Sequence, residues 1–289
     1  MPTARNLKQQ MGFVKGMSRL IEALKEIDAA HFMSLASKKE QKFAEYEEIL
    51  QNFISMTHSV SDVLRSHHPL LFSRSACSCV VVLTSDAGFM GKLNTNICRE
   101  TVTLVEDLDE AECVVLGKKG QVRLRYLDAK ITPFPSITET RRYEQVIELK
   151  DYVVKQRLEG NVGDVYLVSP RSYGFGKQEV VTVKLLPAID MFKQKTVIKV
   201  EKWQEICVES KFEKIVEYLI ETWLVEKLYD AAFESKLAEY SARTMHLEGS
   251  LDYLKAEIKK LSLQYNKTRQ SETDTGLRET FSSLMGIST

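Results

Sequence analysis

The sequence is poor in the residues that interrupt helices. It has 6 Pro and 13 Gly among 289 residues, and neither residue occurs between positions 17 and 68. No Pro follows Pro187. An all-β fold needs many tight turns, which Gly and Pro usually supply, so this scarcity argues against one and favours long helices.

The sequence also lacks net charge, because 40 Lys and Arg balance 40 Asp and Glu. This balance argues against a protein that binds nucleic acid through bulk positive charge. Basic residues are frequent between 255 and 269, but Glu257 lies among them, Glu272 follows, and acidic residues are frequent earlier in the helix. This favours a solvated or protein-facing helix over a nucleic-acid patch.

Cysteine is too scarce for a disulfide framework, since there are five and the number is odd. We therefore expect a reducing, cytosol-facing compartment. Cys77 and Cys79 are too closely spaced for a zinc knuckle. His67 and His68 precede Pro69 directly, which is typical of a solvated helix end, so no metal site is expected.

Long apolar runs are missing as well. The stretch at residues 80–83 is far shorter than the roughly 20 residues that a bilayer-spanning helix needs. Neither a secretory signal nor an Arg- and Ser-rich presequence is visible after Met1. Any association with a membrane is therefore expected to pass through a partner.

The chain divides into three parts, at residues 1–70, 76–200 and 203–289. The first part is predicted to be one helix over about residues 5–65, with apolar residues every three or four positions along one face. Its clearest stretch consists of Leu7, Met11, Val14, Met17, Ile21, Leu24 and Ile27.

The middle part alternates short β-branched runs with helical stretches. Strands are predicted at residues 79–84, 113–117, 130–132, 164–168 and 178–186, and helices at 91–108 and 147–159, with a helix or turn from 118. Strands that alternate with helices predict an α/β domain with a mostly parallel sheet.

The last part has the most regular periodicity, with a predicted helix at about residues 207–285. Its apolar residues follow the a and d positions of a heptad repeat over more than four heptads: Leu237, Tyr240, Thr244, Leu247, Leu251, Leu254, Ile258, Leu261, Tyr265 and Thr268. Such a helix would be roughly 115 Å long and the N-terminal one about 80–90 Å, too long to pack only on the middle domain. We predict a long antiparallel coiled coil of the two helices. A bundle folded back on itself is the alternative, but it would need breaks that the sequence does not supply.

Motifs for catalysis or nucleotide binding are not found. The glycines around Gly88 and Gly174 have the wrong spacing for a phosphate-binding loop, and no dinucleotide fingerprint follows a strand. Ser85-Asp86 after a strand could indicate a catalytic aspartate at Asp86, but a turn and helix cap is the favoured interpretation. No cofactor is expected.

Three segments resemble the gamma subunit of rotary F-type ATP synthases. The segment at residues 263–270, with Tyr265-Asn266-Lys267-Thr268-Arg269-Gln270, resembles the family signature near the C-terminus. The segment at 84–97 resembles a Ser-Asp-x-Gly loop of the family, and the one at 241–245 resembles its Ala-Ala-Arg-Met segment. The order of the segments and the helix–α/β–helix layout agree over essentially the whole chain.

The resemblance implies a central rotor shaft that couples ion flow to ATP synthesis or hydrolysis on the beta subunits. The implied partners are the alpha and beta subunits of the ring, the epsilon subunit and the membrane c-ring. The protein would not itself be catalytic. It would be peripheral on the cytoplasmic face of a bacterial inner membrane.

The resemblance also assigns residues. Arg269 and Gln270 would contact a beta-subunit loop as a polar catch, with Asp274 where the family usually has Thr. Leu24 takes the place of a Met that neighbours a beta-subunit loop. An apolar tip would sit in the collar of the ring; it consists of Leu277, Phe281, Leu284 and Met285.

Departures from the family pattern, such as Ala87 for Arg and Met90 for Cys, indicate a divergent member. Two other interpretations stay open at this point. One is a gamma-derived coiled-coil adaptor in a complex without an energetic role. The other is an enzyme with an unrecognised site in the α/β domain.

Overall fold

The computed structural model describes residues 3–39, 69–73, 75–188 and 212–286. The predictions for residues 40–65, His67, His68 and 189–211 lie outside these ranges. The helices are α1 (Ala4–Lys39), α2 (Leu93–Glu106), α3 (Lys118–Leu124), α4 (Arg142–Leu158) and α5 (Phe212–Gly286). The strands are β1 (Cys77–Leu83), β2 (Glu110–Leu116), β3 (Lys130–Phe134), β4 (Val165–Ser172) and β5 (Gln178–Leu186).

The five strands form one mixed sheet in the order β3-β2-β1-β4-β5. β1 pairs in parallel with β2 and β4, and β2 pairs in parallel with β3. β4 and β5 are antiparallel because only a short hairpin joins them, with Gly174 and Gly176 at φ 122° and 85°. The predicted α/β fold with a mostly parallel sheet is confirmed.

Both faces of the sheet are covered, which explains the unbroken apolar run of β1. Val81 faces a core that includes Leu149 of α4 and Leu224 of α5. Val80 faces the other core, which includes Ile97 of α2. Side chains alternate between the two faces of a strand, so a strand buried on both faces is apolar throughout.

α4 begins at Arg142, five positions before the predicted start. Its first turn is held by Gln145, whose Oε1 accepts the N–H of Thr138 at 2.9 Å. The Gln145 amide also donates to the carbonyl of Ser136 at 3.0 Å. Polar contacts therefore fix this helix start, and the apolar periodicity used for the prediction does not report them.

The buried cysteines are part of the core. Cys79 and Cys113 are 1% and 0% exposed, and burial raises the pKa of both thiols, that of Cys113 to about 12. Protonated thiols at these positions pack as small apolar side chains, as expected from the sequence.

The chain forms two compact units, Met1–Ala30 with Arg243–Thr289, and His31–Ala242. In the first unit α1 and α5 run antiparallel. The backbone N–H of Ala4 donates to Glu272 Oε1 at 2.9 Å, and Asp28 pairs with Arg243 at 2.8 Å. Early residues of α1 thus contact late residues of α5.

The predicted heptad seam of α5 is confirmed by burial. In the first unit every predicted seam residue of α5 is buried or half-buried: Thr244, Leu247, Leu251, Leu254, Ile258, Leu261, Tyr265 and Thr268. A single apolar stripe on a long helix leaves only one face that can be covered.

The predicted face of α1 is wrong at three positions. Met17, Leu24 and Ile27 are 41%, 39% and 53% exposed. In the first unit, the covered residues of α1 follow alternating spacings of three and four, with Ala29 in addition beside the last of them: Ala4, Leu7, Met11, Val14, Ser18, Ile21, Lys25 and Asp28. The seam therefore contains Ser18, Lys25 and Asp28, which an apolar search passes over.

None of the helices in the described ranges carries an apolar stretch that could cross a bilayer.

Candidate functional site

The loop after β1 contains the Ser-Asp motif and is held by hydrogen bonds to neighbouring segments. The Ser85 N–H donates to Asn94 Oδ1 at 3.3 Å, and the Asn94 amide donates to Ser85 Oγ at 2.9 Å. Asp86 accepts the Lys118 N–H at 2.6 Å on one oxygen and the Ser136 hydroxyl at 2.8 Å on the other. Both side chains thus hold the loop to neighbouring segments. The predicted cap of the following helix is wrong, because the N-cap residue of α2 is Lys92 and makes no side-chain cap hydrogen bond.

The charge of Asp86 is stabilised by these contacts. Partial burial opposes ionisation, but the hydrogen bonds from Lys118 and Ser136 outweigh it and lower the carboxyl pKa. A general base near neutral pH needs a raised carboxyl pKa, so the environment of Asp86 is that of a structural carboxylate.

Thr84 packs β1 closely against the start of α3. Its hydroxyl donates to the carbonyl of Leu116 at 2.6 Å and accepts the N–H of Gly120 at 3.0 Å. A Cβ added at Gly120 would lie 2.4 Å from Thr84 Oγ1. This position therefore requires glycine because of the close approach.

The carboxyl ends of β1 and β4 lie where the strand order reverses, which is where open α/β sheets usually bind ligands. Here α5 packs over this edge. The N–H of Ser172 donates to Glu234 Oε2 at 3.0 Å, and the N–H of Gly176 donates to Ser241 Oγ at 2.8 Å. Ala242 is buried in the same core as Val168 of β4. A helix of the chain itself occupies the usual ligand position.

α1 also contacts α5 within the unit His31–Ala242. Phe32 and Leu35 form a buried cluster with Phe233 and Leu237. The Phe32 ring also meets Phe175 of the β4–β5 hairpin edge-on, with the ring centroids 5.2 Å apart. These aromatic contacts hold the end of α1 against the α/β domain.

The predicted catch residues lie on the exposed last turns of α5. Arg269, Gln270 and Asp274 are all solvent-exposed. Gln270 and Asp274 are four residues apart and share one face of the helix, and Arg269 flanks that face. The structure thus brings the three together on one side of a helix.

The predicted apolar tip continues this face. Leu277 and Phe281 follow Asp274 at spacings of three and four and are 54% and 64% exposed. Leu284 and Met285 belong to the same helix, but their side chains lie outside the described part of the structure. Leu277 and Phe281 thus expose two large apolar side chains on one face of the helix.

Leu24 belongs to an exposed apolar stripe on α1. It is separated by spacings of four and three from its neighbours in the stripe, which consists of Phe13, Met17, Leu20, Leu24 and Ile27. The five side chains are between 39% and 71% exposed. The sequence prediction mixed members of this stripe with members of the seam. The stripe alternates spacings of four and three, whereas the predicted set breaks this alternation at Met17 and Ile27. Strict alternation is therefore the signal that would have separated the stripe from the seam.

A shallow groove of about 450 Å³ adjoins the stripe in the first unit. Met17 and Ile21 of α1 form one wall, and Met245 and Tyr253 of α5 form the other. Gly249 lines the groove, and a Cβ added there would have no neighbour within 4 Å. The groove is apolar and carries no cluster of ionisable groups.

No group of three or more His, Cys, Asp or Glu side chains in the described ranges is arranged to hold a metal ion.

Comparison with known proteins gives one consistent result. The family model described as ATP synthase matches residues 3–284. The ATP synthase gamma chain of Heliobacterium modesticaldum is 26% identical over 277 residues, which cover 94% of each chain. The gamma chain of Cupriavidus metallidurans is 26% identical over 294 residues, covering 99% of this chain and 100% of the relative.

Solved structures share the fold. The rotor of the Euglena gracilis mitochondrial ATP synthase has a chain with a TM-score of 0.64 and 16% identity, covering 93% of this chain and 98% of that one. A chain in the central stalk and c-ring of the Tetrahymena thermophila mitochondrial ATP synthase has a TM-score of 0.60 and 18% identity. The match covers 80% of this chain and 99% of that one. The match of the family model over nearly the whole length and the gamma-chain relatives agree with the three sequence segments. The chain therefore belongs to the gamma-subunit family of ATP synthases.

Proposed function

We propose that this protein is the central rotor shaft of an F-type ATP synthase. The observation that carries the proposal is the family match over residues 3–284. It agrees with the pairing of α1 and α5, which bury a shared seam in the first unit. A shaft has to transmit torque without bending, and two helices that bury a shared seam are stiffer than one. The chain would couple ion flow through the membrane sector to ATP synthesis or hydrolysis.

In this proposal the chain is not catalytic. The family places ATP chemistry on the beta subunits, so the gamma chain needs no nucleotide site of its own. Two features support this role. α5 packs over the sheet edge where a ligand would otherwise bind, and the carboxylate of Asp86 is engaged in loop contacts.

The partners would be the alpha and beta subunits of the ring, the epsilon subunit and the membrane c-ring. The protein would be peripheral on the cytoplasmic face of a bacterial inner membrane and would reach the membrane only through these partners.

Three exposed surfaces would meet the ring. The first is the polar catch of Arg269, Gln270 and Asp274. The second is the apolar tip, of which Leu277 and Phe281 are exposed. The third is the apolar stripe on α1 that contains Leu24. The exposure of the tip and of the stripe supports the proposal, because neighbouring apolar side chains that are exposed together often mark a surface that a partner covers.

The test is co-expression with the alpha and beta subunits of the same organism. We expect a stable complex that contains this chain and hydrolyses ATP. A stable complex without ATP hydrolysis would favour the adaptor interpretation, and turnover by the isolated chain would favour the enzyme interpretation.

The catch is tested by Arg269→Ala with Gln270→Ala in the complete synthase, which also contains the epsilon subunit and the membrane sector. We expect the assembled complex to form but ATP-driven ion pumping per ATP hydrolysed to fall. Glu279→Ala, at another exposed position of α5, is the control and should leave pumping unchanged. Unchanged pumping in the double variant would remove the catch role.

A further inference from the structure

The seam between α1 and α5 contains a buried ion pair. Asp28 lies on the α1 seam and its side chain is 7% exposed, whereas that of Arg243 on α5 is 20% exposed. Arg243 Nη1 donates to Asp28 Oδ1 at 2.8 Å. Apart from Lys25, the other covered positions nearby are apolar or small, so this pair is a polar layer inside a largely apolar seam.

Within the first unit, apolar layers alone specify the alignment of the two helices weakly. The α5 seam offers a similar aliphatic side chain at every layer from Leu247 to Leu261. If α1 slid by one heptad, several of its apolar residues would still meet aliphatic residues of nearly the same size. Repeating apolar layers therefore leave several alignments close in free energy.

The ion pair does not tolerate such a slide. Seven residues from Arg243 along α5 stand Ser250 in one direction and Lys236 in the other. Ser250 is uncharged, and the Lys236 ammonium is already bound to Glu239 at 2.8 Å. A slide by one heptad in either direction would leave the Asp28 carboxylate buried and facing no unengaged cation of α5, which is strongly unfavourable.

We propose that the Asp28–Arg243 pair sets the register of α1 against α5. Burying the pair costs desolvation free energy, which an apolar layer would not cost. The alignment is unique because only one register joins the two charges. Asp28 and Arg243 are positioning residues in this role. The inference concerns the chain itself and does not depend on the proposed function.

The test measures alignment separately from stability. Spin labels carried on non-natural residues replace Glu22 on α1 and Lys267 on α5, which are both exposed and are offset along the helix axis. Their separation in the full-length chain is measured by double electron–electron resonance. The unaltered pair should give one narrow distance. The charge-swapped variant Asp28→Arg with Arg243→Asp should give the same distance.

The decisive variant is Asp28→Leu with Arg243→Leu, which keeps a filled seam and should fold. We expect a broadened distribution or a second population, since sliding by one heptad moves the helices by about 10 Å. Glu257→Leu with Lys260→Leu removes a more exposed pair of α5 and should keep the single distance.

Two results would overturn the proposal. One is a single, unshifted distance in the Leu–Leu variant, which would show that other contacts set the register. The other is a second population in the charge-swapped variant, because the ion pair would then not be the determinant.

Discussion

Replacing Leu251 by Ala tests the α1–α5 seam, because this side chain is 2% exposed and lies on the seam of α5. Removing a buried Leu side chain typically costs about 2–5 kcal/mol, the range depending on how far the surroundings close the cavity. At the lower end, 2 kcal/mol corresponds to an increase of about 30-fold in the equilibrium constant for opening. We therefore expect the seam to open far more often in this variant.

The matched control is Leu263→Ala, on the same helix and with the same chemical change, at a side chain that is 58% exposed. Surface substitutions usually change stability by about 0.5 kcal/mol or less. Both variants exchange Leu for Ala, so the change in helix propensity cancels in the comparison. The difference between them isolates burial in the seam.

Amide hydrogen exchange measured by mass spectrometry on peptides from residues 243–268 is the assay, since it reports local opening of this part of α5. We expect exchange in the Leu251→Ala variant to be at least about 30-fold faster than in the control. Equal exchange in the two variants would refute the assignment of the seam.

Three further predictions concern the loop after β1 and the exposed stripe. Gly120→Ala should destabilise the chain in urea by about 1–3 kcal/mol because the new methyl meets Thr84, whereas Gly88→Ala, with open space around it, should change little. The folded state lowers the pKa of Asp86 below its ordinary value, so the stability it contributes is present above that value and is lost as pH falls through the folded pKa. Thermal melts at pH 6 and pH 3 should therefore differ less in Asp86→Asn than in the unaltered chain; an equal difference would contradict the role of these hydrogen bonds. Leu24→Ser should leave the melting temperature of the isolated chain nearly unchanged and weaken its assembly with alpha and beta subunits in a pull-down, and a clear loss of stability would place Leu24 in the seam instead.

The two long helices show why one seam could be predicted and the other could not. α5 has one apolar stripe, and residues such as Leu247 and Leu261 lie in it as predicted. α1 has two neighbouring stripes, one buried and one exposed, so a search for apolar residues at spacings of three and four took Met17 and Leu24 into the wrong one. Only the partner helix decides which stripe is covered.

Polar members of a seam are a second limit. Asp28 lies among charged residues of α1 and looks like part of a solvated face. Its burial depends on Arg243, which is more than two hundred residues away in the sequence. A contact of this range leaves no local pattern.

The α/β domain was predicted well where apolar burial determines the structure. β5 has the predicted bounds, and the strands of the parallel core are at the predicted places within a few residues. The start of α4 was missed because the side chain of Gln145 fixes it. The role of α5 in covering the sheet edge was missed as well, since it depends on tertiary contacts of Glu234 and Ser241.

The most direct test of the proposed rotor role is single-molecule rotation. The alpha–beta–gamma complex is fixed to a surface through its beta subunits, and a bead is attached to an exposed site on this chain in the α/β domain. We expect the bead to turn in one direction in steps when ATP is added, and to stop when ATP is withdrawn. A complex that hydrolyses ATP while the bead shows only random motion would contradict the account.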